Sequence, residues 1–192
     1  MNDSQPSHRT RHHAALRHTR MLCLAAFLTA LSFLLGLLAK TIQGAGPLRF
    51  TIEGLPIVLA GITLGPLHGA TVGVAADLLS CLLAGQTPLP LITVGAATVG
   101  LVPGLLGLLL RRRYRPTAMP PRYPILLLLD GSAHLVGSIL IKTAALADFY
   151  DLAAVIIWRV PLYIGVILIE SYLLLILLRS VTVRREIERL LK

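Results

Sequence analysis

Apolar residues run along this chain in long blocks, not in alternation. Six blocks stand out, at residues 21–39, 51–64, 66–84, 91–110, 124–146 and 152–178. Most are long enough to cross about 30 Å of hydrocarbon as helices. The second is short and opens after a loop at 41–49; a tight Gly65-Pro66 turn separates it from the third. Pro103 is expected to kink the fourth. The pattern predicts an all-α polytopic membrane protein, a compact bundle of six transmembrane helices spanning residues 21–178. A disordered basic tail is expected over residues 1–20. A basic tail follows at 179–192, where Arg184, Glu186, Glu188 and Lys192 suggest a short surface helix. The first block is too long for a signal-peptide core and no small-residue cleavage site closes it, so a retained helix is expected.

Composition agrees with this picture. The chain is 55% hydrophobic and only 14% charged, more apolar surface than a soluble domain of this length can hide. Its formal net charge of +9 would suggest nucleic acid in a soluble protein. Here it is better explained as topology signal beside a lipid bilayer, and no nucleic-acid partner is expected. Cys23 and Cys81 both fall inside apolar blocks and lack disulfide or metal spacing.

Of the 18 Lys and Arg residues, 14 fall in the N-terminal tail, the loop after the fourth block and the C-terminal tail. That face should be cytoplasmic, with both termini inside. The four exceptions, Lys40, Arg49, Lys142 and Arg159, lie at or near the opposite ends of their helices. Glycines recur at every fourth position as Gly61, Gly65, Gly69 and Gly73, and again as Gly100 and Gly104. In lipid, small residues at this spacing let helix backbones approach closely.

Several of these features occur in one known family. Arg49 precedes Leu55-Pro56-Ile57, then Gly65-Pro66, then a Gly-rich helix carrying Asp77. Lys142-Thr143 and Trp158-Arg159-Val160-Pro161 follow in order. Over residues 21–178 the chain resembles the substrate-binding S components of energy-coupling factor (ECF) transporters, most closely the folate type. The resemblance implies a six-helix subunit that captures a vitamin from outside and works with a transmembrane coupling subunit and two ATPase subunits. No phosphate-binding Gly-x-x-x-x-Gly-Lys-Ser/Thr loop occurs, so ATP hydrolysis would belong to partner chains. The family's coupling contact is a small-residue pattern on the first helix, which Ala26 and Ala30 match; internal helix packing is the plainer reading of that spacing.

The polar residues inside the blocks then divide by role. Arg159 and Lys142 should lie at similar depth on adjacent antiparallel helices, where two cations repel unless an anion sits between them. The resemblance brings Arg49 in from the first loop, and together the three would suit a substrate carboxylate. Pairing with Asp148, Asp151 or Glu53, or snorkelling, is the alternative, and snorkelling is expected of Lys40. Glu53 either offsets a helix dipole beside Arg49 or accepts from a pterin-like amino group. Asp77 either meets a ligand edge or ties neighbouring helices together. Gln86, with Gln43 and Thr87, lies in an outer loop and closes the site or is simply solvated.

Asp130, His134 and Glu170 are expected at one depth in the inner half, as a structural hydrogen-bonded cluster or a proton relay. Four histidines in the N-terminal tail, His8, His12, His13 and His18, offer at most weak metal binding. No catalytic pair, metal site or nucleophile motif stands out, and no cofactor is expected. Aromatics are sparse; Tyr150, Trp158 and Tyr163 near the outer end are the candidates to stack on a flat ligand. The leading expectation is high-affinity capture of folate or a related pterin-like anion. The alternatives are another small vitamin, such as pantothenate or a queuosine precursor, and a six-span scaffold of cell-shape assembly.

Overall fold

A computed structural model describes residues 8–43, 50–85, 87–113, 122–147, 151–181 and 185. Every regular element among them is a helix: α1 (His8–Gln43), α2 (Gly54–Leu64), α3 (Pro66–Leu83), α4 (Pro90–Arg113), α5 (Tyr123–Leu146) and α6 (Leu152–Arg179). Five are long and apolar enough to cross a membrane. The exception is α2. Its 11 residues rise only about 16 Å, roughly half of a hydrocarbon core. Six crossing helices were expected; the second block begins its helix three residues late. Thr51 Oγ1 accepts the Glu53 N–H at 3.1 Å just before the helix begins at Gly54. The first helix departs the other way. It starts at His8, inside the segment expected as a disordered tail, because residues 8–20 contain neither Gly nor Pro and include Ala14, Ala15 and Leu16.

The burial pattern is that of a protein in lipid. Glu170, Asp130, Ser171 and Ser32 are fully or almost fully buried, while Leu82, Leu83, Ile157 and Phe27 face outward. Polar groups turn inward to find partners and leucine meets the hydrocarbon. Val58, Ala60, Leu126 and Leu174 fill the apolar interior.

A seam of small residues joins α3 to α4. A Cβ on Gly100 would run into the Gly69 backbone, one on Gly73 into the Ala96 carbonyl, and one on Gly104 into Pro66. Gly61 of α2 closes on Gly100 as well, so three helices meet at one point. Gly65 turns the chain between α2 and α3 with φ 102°, where a side chain would be strained. Pro103 lies inside α4, which remains one helix through it.

The fifth helix is not uniform. Residues His134–Ile141 form a π-helical segment between two α-helical ones. Lys142 N–H accordingly donates to the carbonyl of Gly137, five residues back. Wider turns alter which carbonyls are taken up along the helix, and that change sits beside the residues of interest.

Candidate functional site

Polar side chains from α5 and α6 make a continuous track through the bundle. At one end is Arg159 of α6, only 6% exposed. Its Nη2 donates to the Ser138 carbonyl at 3.2 Å and to the Tyr163 hydroxyl at 3.3 Å. Its Cζ lies 5.4 Å from the Tyr163 ring centroid, within cation–π range. Both acceptors are neutral. Among the described residues no carboxylate comes within ion-pair distance of Arg159, and its Nε has no hydrogen-bond partner.

The π segment supplies the first of those acceptors. Ser138 O also takes the Thr143 hydroxyl at 3.4 Å, five residues on. A carbonyl fully committed to its own helix could not serve a guanidinium from α6 so readily. Lys142, half-buried at the end of the π segment, lays its stem against Gly95 of α4. Gly95 permits this: a Cβ there would lie 2.7 Å from Lys142 Cγ.

Further in, the Tyr163 ring lies 5.5 Å from that of His134. His134 Nδ1 meets Ser138 Oγ at 3.1 Å and Nε2 meets Glu170 Oε2 at 2.6 Å. Glu170 Oε1 accepts the Leu55 N–H at 3.1 Å. Here the short α2 explains itself. Its N-terminus is buried in the bundle, and a carboxylate from α6 shares one of its first amides, the Leu55 N–H, with the Ile52 carbonyl at 3.2 Å. Ser171 donates to Asp130 Oδ2 at 3.0 Å, and Asp130 Oδ1 lies 3.7 Å from His134 Nε2.

The sequence-derived site residues fare differently. Arg49 and Gln86 lie outside the described residues. Arg159 is buried at the head of the track and Lys142 flanks the α4 side. Glu53 is half-buried and packs over Gly36 of α1, while its carbonyl accepts the Ser32 hydroxyl at 2.7 Å. Asp77 is half-buried and accepts the Thr93 hydroxyl at 2.7 Å, tying α3 to α4. Asp151 caps α6 through the Ala153 amide at 3.3 Å. Ala26 and Ala30 are exposed on α1, with Phe27 between them 62% exposed. Asp130, His134 and Glu170, expected at one depth, do meet. Sequence reasoning missed the bond from Glu170 to the α2 amide. Its signal was a second block too short to span, which leaves a helix end in want of an acceptor.

Five helices long and apolar enough to cross a membrane make this a polytopic membrane protein. The chain matches the family described as ECF transporter, substrate-specific component, over residues 20–184, and it is a member of that family. No curated protein and no solved structure matches it. The protein is thus a multi-pass membrane subunit that captures substrate for an ECF transporter; it is not an enzyme. Such components work with a transmembrane coupling subunit and ATPases.

Proposed function

We propose that this S component captures a small anionic vitamin, folate or a related pterin-like compound, in an outward-facing pocket headed by Arg159. The observation behind this reading is the state of that side chain. A guanidinium 6% exposed, bonded only to a carbonyl and a phenol, is a charge in lipid without a counter-charge among the described residues. A ligand carboxylate supplies the missing charge, and the unbonded Nε offers it a donor. In this reading Arg49 and Gln86 are further ligand contacts. Lys142, Glu53 and Asp77 are its secondary contacts, although the bonds of Glu53 and Asp77 equally suit tying helices together. The 14-to-4 division of Lys and Arg supports cytoplasmic termini and an outer pocket. In this reading the exposed face around Ala26 and Ala30 meets the coupling subunit, and the short α2 counts with its preceding segment as the sixth traverse.

The test is equilibrium binding of labelled folate to the purified full chain. A tight complex should form, and Arg159→Ala or Arg49→Ala should weaken it by about 2–4 kcal/mol, roughly 30- to 1000-fold. Unlabelled pantothenate and a queuosine-type base, added as competitors, test the ligand class. Full affinity in both Ala variants would remove the anion site.

A further inference from the structure

Three buried groups on the polar track beyond Arg159 and Tyr163 are arranged as metal ligands are. One carboxylate oxygen from each of Asp130 and Glu170, and a ring nitrogen of His134, all lie within 4.8 Å of one another. All three residues are buried, at 0%, 0% and 3% exposure. Each ties up its other polar atom outside the cluster. Ser171 holds Asp130 Oδ2, Ser138 holds His134 Nδ1, and the Leu55 amide holds Glu170 Oε1. That leaves Asp130 Oδ1 without a hydrogen bond, 3.7 Å from His134 Nε2, which is itself bonded to Glu170 Oε2. Outer hydrogen bonds of this kind orient metal-binding histidines and carboxylates.

One further observation points to a ligand. Asp130 Oδ1 is buried and has no hydrogen-bond partner. Gly54, where α2 begins, packs directly on the cluster: a Cβ there would lie 2.7 Å from His134 Cε1 and 2.9 Å from its Nε2, too close to be accommodated. Two carboxylates in hydrocarbon also call for positive charge beyond what one imidazole can bring.

We propose that Asp130, His134 and Glu170 form a binding site for a divalent transition metal of the zinc class. One imidazole nitrogen and two carboxylate oxygens suit such an ion. Ligand atoms around zinc lie about 3.3 Å apart, so the 2.6 Å His134–Glu170 contact opens by less than an ångström and the 3.7 Å His134–Asp130 contact closes slightly. The ion clamps α5 to α6 and, through Glu170 and the Leu55 amide, fixes the start of α2. This site stands apart from the vitamin reading and survives its failure.

The experiment uses the full chain in detergent with His8, His12, His13 and His18 changed to Asn, so that the tail cannot chelate. After stripping with EDTA, the protein is exposed to Co2+ and passed through gel filtration. About one Co2+ per chain should remain, with the visible absorption band of a low-coordinate site. Asp130→Asn keeps the side-chain volume and an acceptor for Ser171; it should lose both band and metal while its circular dichroism stays helical. The proposal is overturned if the folded parent retains less than about a tenth of an equivalent, or if Asp130→Asn retains as much as the parent.

Discussion

Between α3 and α4 the helices meet backbone to backbone, with Gly69 against Gly100 and Gly73 against Ala96. Between α5 and α6 they meet through side chains, with His134 against Glu170, Asp130 against Ser171 and Arg159 against the Ser138 carbonyl. Both interfaces lie in the same apolar setting, where no hydrophobic drive brings helices together. The first relies on close van der Waals contact and has no adjustable part. The second relies on directional bonds whose partners can be exchanged. A subunit that must bind and release needs both, a rigid half to brace against and a half that can trade a bond for a ligand.

The rigid half should break hardest. In Gly100→Leu the new side chain has nowhere to go: even its Cβ would stand 2.8 Å from Gly69 Cα, and the other nearest atoms are also Gly69 backbone. A backbone cannot swing aside as a long side chain does, so α3 and α4 must separate along their length. The expected loss exceeds about 4 kcal/mol, and the monodisperse gel-filtration peak in detergent should vanish. A normal peak with an unchanged melting temperature would mean that the seam is looser than its glycines imply.

The polar half should yield more gradually. Glu170→Ala removes the 2.6 Å partner of His134 and one of the two acceptors of the Leu55 amide, which keeps the Ile52 carbonyl at 3.2 Å. A loss of about 3 kcal/mol is expected, read as a fall in melting temperature. Glu170→Gln keeps an oxygen for the Leu55 amide and should lose less than half as much. If the two variants melt together, the carboxylate does not cap α2, and the contrast between the halves loses its main support.

The halves also differed in how far the sequence disclosed them. The seam was legible because its mechanism is written in residue size: Gly61, Gly65, Gly69 and Gly73 at four-residue spacing let backbones approach closely. Asp130 and His134 were legible as one face because both lie four apart on a single helix, and Glu170 because depth can be counted along antiparallel spans. The π segment was not legible. Nothing in His134–Ile141 distinguishes a five-residue repeat from a four-residue one, since the choice rests on what α4 and α6 present to it. Nor was the late start of α2, at Gly54 after a local Thr51–Glu53 bond. Arg159 was singled out by its sign and place, but its neutral acceptors come from the fold.

The smallest effect tests whether glycine itself, or only glycine at the seam, matters. Gly107 sits on α4 with open space where a Cβ would stand, seven residues beyond Gly100 on the same helix. Without a close neighbour its missing side chain serves no packing role there, and glycine leaves the helix more conformational freedom in the unfolded chain. Gly107→Ala should therefore be neutral or stabilising by up to about 1 kcal/mol, seen as an equal or slightly higher melting temperature. Gly107 also borders a shallow hollow of about 150 Å3 that it shares with Gly61, Gly65 and Gly104 at the end of α2. If Gly107→Ala destabilises the bundle as the seam variant does, close packing in this half extends past Gly104 into that hollow. The boundary between the rigid half and its lipid-facing margin would then move by a full turn of α4.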